Sequence, residues 1–99
     1  MENELRDLAI VHNQAGSCFE AHLGGLRSWL DYEIDEGRMV ITHVVVHPAL
    51  RGRQIAVHLM QAGLQYARAG SLRVVPQCAY ANAYMRRHPE DRDLLRPRS

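Results

Sequence analysis

The apolar residues of this chain change their period at Pro48. Before it, Phe19, Ala21 and Leu23 alternate with Cys18, Glu20 and His22, and Leu26, Leu30, Tyr32 and Ile34 alternate with charged Arg27, Asp31 and Glu33. A period of two is that of a strand with one face on the core. After Pro48, Ile55, Leu59 and Gly63 fall on one helical stripe, with Ala56, Met60 and Leu64 beside it. Leu72–Val75 then reads as a short strand closed by Pro76, and Ala79–Arg87 as a second, shorter helix. His88 precedes Pro89 and is pushed out of helical geometry. Hairpin-joined strands therefore come first, followed by one strand–helix–strand unit whose two strands should be parallel with a right-handed crossover. The predicted class is α+β: a mixed sheet of four antiparallel strands, then a helix, a parallel strand and a short helix.

Turn signals set the boundaries. Leu8–His12 is a short run rich in β-formers, and Asn13-Gln14-Ala15-Gly16 reads as a hairpin loop. Gly24-Gly25 and Asp35-Glu36-Gly37 mark the next two turns. Arg38–His47 is apolar on both faces through Met39-Val40-Ile41 and Val44-Val45-Val46, the pattern of a central strand buried on both sides. The first helix should run from about Arg53 to Ala69, with Gly70-Ser71 stopping it. The 99 residues allow one domain over 1–99, with 1–7 and 95–99 expected to be loose and the basic, Pro97-bearing tail expected to loosen from Leu94. An eight-unit β/α barrel needs about 250 residues and is excluded.

Charge removes further classes. Twelve basic and eleven acidic residues leave +1, which argues against a nucleic-acid clamp. All twelve bases are Arg, and there is no Lys. Cys18 and Cys78 make neither a disulfide scaffold nor a zinc motif. Met1-Glu2-Asn3-Glu4 is acidic and shows no signal peptide, and no stretch approaches 18 apolar residues. The expectation is a cytoplasmic protein with reduced thiols.

The stretch from Val44 to Ala56 carries the most chemistry. A strand leads through His47-Pro48-Ala49-Leu50 and Arg51-Gly52-Arg53-Gln54 into a helix N-terminus. That end offers unpaired N–H groups and the positive pole of the helix dipole. Gly52 lets backbone approach a ligand closely. Arg51 and Arg53 stand where cations are disfavoured, a conflict that a docked phosphate removes. The other reading of the same residues is a solvated, arginine-rich loop without a ligand.

This run resembles motif A of the GNAT superfamily of acetyl-CoA-dependent N-acetyltransferases: Arg or Gln, two residues, Gly, one residue, then Gly or Ala. Arg51, Gly52, Arg53, Gln54, Ile55 and Ala56 match at the ends, with Gln54 where the motif has its central Gly. Pro76-Gln77-Cys78-Ala79-Tyr80 and Tyr84-Met85-Arg86-Arg87-His88-Pro89-Glu90 resemble a small subfamily of about this length, with a cysteine just after the fifth strand. The resemblance covers about residues 8–95. It implies that the fourth and fifth strands splay apart, that Val44 and Val46 pair with pantetheine, and that Arg51 through Ala56 take the pyrophosphate of CoA. It also implies an open acceptor side, because Asn13–Gly16 is too short for the two helices that wall it in ordinary members.

Cys78 then has two readings: a small buried hydrophobe, or a thiol at a helix start, where thiolate is favoured and an acetyl group could be accepted or a proton relayed. Cys18 reads as structural. Tyr80 and Tyr84 are candidates to protonate the leaving thiolate. The family's tyrosine counts to Met85, one residue from Tyr84, and Tyr84 takes the role. His43 points the same way as Ile41 and Val45, as a general base or a satisfied interior histidine. Glu33 is a weaker base candidate, and His58 sits in mid-helix. His43 and His47 are about 13 Å apart along a strand, too far to share one ion, so no metal is expected.

The function implied is acetyl transfer from acetyl-CoA to an unidentified amine on a small molecule, peptide or protein, without membrane or nucleic acid. The alternative is a CoA-binding module without turnover that acts through a partner. The arginines of the last 14 residues raise RNA as a third class, which the interleaved Glu90, Asp91 and Asp93 oppose.

Overall fold

The computed structural model describes residues 7–96. Strands β1 (Ala9–Asn13), β2 (Cys18–Leu23), β3 (Leu26–Asp35) and β4 (Arg38–Val45) are followed by a 3₁₀ turn at Pro48–Leu50 and helix α1 (Ile55–Ala69). Strand β5 (Arg73–Pro76), helix α2 (Ala79–Arg87) and a 3₁₀ helix at Pro89–Leu95 complete the chain. The sheet order is β1-β2-β3-β4-β5, antiparallel except for the parallel pair β4–β5. This is the α+β arrangement expected, within a residue or two at each boundary.

Helix α1 lies on one face of the sheet. Its buried Ile55, Leu59, Met60, Leu64 and Ala67 share a core with Ala21, Leu30, Tyr32, Met39 and Ile41. At Gly63 a side chain would meet Met39 and Leu30 at ordinary contact distance, so the helix rides close to the strands. The helix ends in a Schellman motif: Leu72 N–H bonds to Ala67 O at 2.8 Å and Ser71 N–H to Arg68 O at 3.2 Å. The left-handed residue is Ser71 (φ 56°), while Gly70 keeps a negative φ.

Four expectations need correction. β4 is internal but fourth of five, and only Met39 and Ile41 on it are fully buried; Val45 is 37% exposed because no element covers that end on the side away from α1. Helix α1 starts at Ile55 rather than Arg53, because Gln54 is left-handed. The tail is not loose at Leu94 and Leu95: Leu94 is buried, and Arg73 Nε donates to Leu95 O at 3.1 Å. Of the other residues expected to be loose, 1–6 and 97–99 lie outside the described residues.

The fourth correction concerns His43. A β-bulge breaks the β3–β4 register, so Tyr32 opposes Ile41, Asp31 opposes His43 and Leu30 opposes Val44. The extra residue turns the strand over. Ile41, Val44 and Val46 share the α1 face, whereas His43 and Val45 lie on the opposite one. His43 is no interior histidine: its side chain is 69% exposed.

His12 is the half-buried imidazole of the α1 face. Its ring stacks on Phe19 at 4.1 Å, meets the edge of Tyr66 at 4.5 Å, and places Nε2 2.6 Å from the Tyr32 hydroxyl. Burial holds its pKa below the ordinary 6.5. The unfolded chain takes up a proton near that value while the folded chain resists, so stability falls as pH falls below about 6.5. Glu20, pulled down to about 2 chiefly by Arg27, titrates outside this window. The melting temperature should therefore drop between pH 7.5 and 5.5, and His12→Phe should flatten that slope; an unchanged slope in the variant refutes the assignment to His12.

Candidate functional site

The site begins where two strands stop pairing. β4 and β5 run side by side only from Arg38↔Arg73 to Ile41↔Pro76. Alternate residues of β5 donate to β4, Arg73 N–H to Gly37 O and Gln77 N–H to Ile41 O at 3.0 Å, so Pro76 has its missing N–H on the outer edge of the sheet. Cys78 N–H (3.2 Å) bonds to the same Ile41 carbonyl, and the ladder goes no further. From there the chain leaves for α2, and among the described residues β4 beyond Ile41 keeps β3 as its only strand neighbour. Cys78 caps α2: its Sγ accepts from Ala81 N–H at 3.4 Å, and the residue is half-buried.

The far end of β4 is closed by side chain and loop. Buried Ser28 on β3 accepts the His47 N–H at 2.9 Å. His47 Nδ1 in turn accepts from Ala49 N–H at 3.0 Å, capping the 3₁₀ turn. Leu50 and Ile55 are buried, and the four residues between them, Arg51 to Gln54, are exposed. Gly52 (φ 82°) and Gln54 (φ 64°) are both left-handed. The first helical bond of α1 is His58 N–H to Gln54 O, no side chain caps this end, and its first turn holds no acid. The N–H groups of Ile55, Ala56 and Val57 precede that bond and have no helical acceptor.

Two adjoining clefts open onto these groups. One, of about 310 Å³, is lined by Val46, Leu50, Arg51, Gly52, Gln54, Ile55, Ala56, Val57 and Tyr80. The other, of about 290 Å³, is lined by Val44, Val45, Val46, Arg51, Ala56 and Tyr80. The shared lining makes one trough from the helix N-terminus along the end of β4. Its chemistry is that of an anion site at one end, with unpaired N–H groups and an arginine, and an apolar wall at the other.

Of the residues singled out from the sequence, Val44, Val46, Arg51, Gly52, Gln54, Ile55 and Ala56 meet in this trough. Arg53 does not. The left-handed residues on either side of it reverse the chain, and Arg53 lines a separate groove of about 460 Å³ with Leu23, Leu26 and Leu50. Tyr84 is also elsewhere: it is buried and stacked on His88 at 3.9 Å, because Ala81, Tyr84 and Met85 form the buried stripe of α2. Tyr80 supplies the hydroxyl that lines the trough, and burial raises its pKa, so it is protonated at neutral pH. Leu50, Val45 and Val57 complete the lining without having been singled out. Cys18 is buried on β2, and burial pushes its thiol up.

A family model described as GCN5-related N-acetyl-transferase matches residues 18–94. No curated protein matches the chain.

The loop geometry is testable by stability alone. A side chain at Gly52 meets no atom but must adopt φ 82°, so Gly52→Ala should destabilise the fold by about 1 kcal/mol. Gln54→Gly relieves a left-handed strain of about 1–2 kcal/mol and frees the unfolded chain by a little less. It should be neutral or stabilising in urea denaturation. A Gln54→Gly variant weaker than wild type by more than about 1 kcal/mol would mean that the Gln54 side chain holds the loop.

Proposed function

The chain belongs to the GCN5-related N-acetyltransferase family, and on that premise we propose that it transfers an acetyl group from acetyl-CoA to an amine. The observation that carries this reading is the trough: an uncapped, acid-free helix N-terminus beside Arg51, continuous with a strand end that has lost its neighbour. A pyrophosphate fits the first of these, because unpaired N–H groups and a guanidinium both lack an anion there. The amide-bearing pantetheine arm fits the second, where β4 needs a hydrogen-bonding partner. Val44 and Val46 would take the arm, and Gly52, Gln54, Ile55 and Ala56 the phosphates. Arg53 is left out of the cofactor set.

Bound there, acetyl-CoA supplies an activated acyl group. The chain's own part is to hold it and to manage protons. Cys78 stands where the strands part, its backbone tied to Ile41 and its sulfur at the start of α2. It serves either as acceptor of the acyl group or as a proton relay. Tyr80, rather than Tyr84, is the proton donor to a leaving thiolate, since it alone of the two lines the trough. Among the described residues no helix is long and apolar enough to cross a membrane.

CoA should raise the melting temperature in a concentration-dependent way. Arg51→Ala should weaken CoA binding by about ten- to a hundredfold, the loss of a charge-assisted contact. Cys78→Ala should keep CoA binding and lose transfer; transfer at the wild-type rate would make Cys78 a packing residue. Calorimetry without CoA binding at millimolar concentration would sink the reading. Tight binding with no transfer across a broad amine screen would favour a CoA-binding module.

A further inference from the structure

The face of the sheet away from α1 carries a polar arrangement that the trough does not use. Asp31 and His43 face each other across β3 and β4, directly before Trp29 and Val45. His43 Nδ1 lies 3.2 Å from Thr42 Oγ1 and 3.8 Å from Asp31 Oδ2. The Thr42 hydroxyl donates its one proton to the backbone carbonyl of Asp31 at 3.3 Å. Its oxygen can then only accept, so Nδ1 of His43 carries the hydrogen. The carboxylate beside Nδ1 favours the same tautomer. Nε2 is left as a free base on a ring whose side chain is 69% exposed.

Val45 shares this face with His43, two residues or about 7 Å further along the strand, and lines the trough. The imidazole therefore stands beside the gap on the side that, among the described residues, no helix covers. On the same face Glu20 accepts from Arg27, Asn13 and His22, Asp35 pairs with Arg38, and Glu33 stands exposed opposite Val40, two residues beyond Asp31 and further from the gap than His43.

Resting on the acyl-transfer reading above, we infer that His43 takes the proton from an acceptor amine arriving on this face, and that Asp31 and Thr42 are positioning residues that hold its ring with Nε2 free. The acceptor arrives as an ammonium ion and gives one proton to Nε2. The freed nitrogen lone pair forms the C–N bond at the acyl carbonyl, and the C–S bond breaks with its electron pair on sulfur. Tyr80 protonates that thiolate and is restored by the proton that the nitrogen then loses, and His43 returns its own proton to water. The bulge is what aims the group: without the extra residue, His43 would sit on the α1 face.

Two acceptors separate this role from general damage. Hydroxylamine is neutral at pH 7 and needs no base, whereas n-butylamine is an ammonium ion. With acetyl-CoA as donor, His43→Gln should leave transfer to hydroxylamine within about twofold of wild type and lower transfer to butylamine on the order of 100-fold. Asp31→Asn and Thr42→Val should show the same split, smaller in size. In ¹⁵N spectra of the unliganded protein, His43 should be the Nδ1–H tautomer, and Thr42→Val should mix the two tautomers. Butylamine transfer unchanged in His43→Gln, a parallel loss with both acceptors, or an Nε2–H tautomer in the wild type overturns the inference alone. Wild-type protein that acetylates not even hydroxylamine overturns the acyl-transfer reading and this inference together.

Discussion

One carbonyl organises the molecule. Ile41 O receives both Gln77 N–H and Cys78 N–H, and at that fork the parallel pairing of β4 and β5 ends. The ladder stops because Cys78 N–H turns back onto a carbonyl that Gln77 N–H already occupies, instead of moving on along β4. Three consequences follow from the fork. β4 continues without a neighbour on one side, Cys78 is placed at the vertex, and the chain is turned directly into α2. A sheet that paired two residues further would have neither trough nor vertex thiol.

The opposite wall depends on anchoring rather than on pairing. Leu50 and Ile55 are buried on either side of four exposed residues, so the loop between them is short and held at both ends. Within it, two left-handed residues are needed to bring the backbone around. Gly52 adopts its conformation at no steric cost, while Gln54 carries strain of the kind found where local geometry serves a site. The same reversal separates the two arginines, sending Arg51 into the trough and Arg53 towards the β2–β3 hairpin.

Much of this was legible in the residues. The shift of apolar period at Pro48 was enough to order strands and helices, but Tyr84 was read as the proton donor, and the Ala81, Tyr84 and Met85 stripe that buries it is set by how α2 docks. What escaped is what periodicity does not encode. Thr42-His43 reads as uninterrupted alternation, because a bulge is a property of pairing between strands and leaves no local mark. The 3₁₀ helix at Pro89–Leu95 is too short and too charged to show a period, although Leu94 and Leu95 were an apolar signal in a tail taken to be loose. The left-handed Gln54 was hidden because its residue type rarely adopts that conformation.

The three valines after the bulge separate shape from address. A one-residue slip in a strand exchanges its two faces. Val44, Val45 and Val46 present the same isopropyl group whichever way the strand falls, so the wall of the trough is tolerant of such an error. His43 is not: its imidazole has a different environment on each side of the sheet. This segment thus stores two kinds of information, one redundant and one exact to the residue. Insertions or deletions near Thr42 will erode the second long before they touch the first.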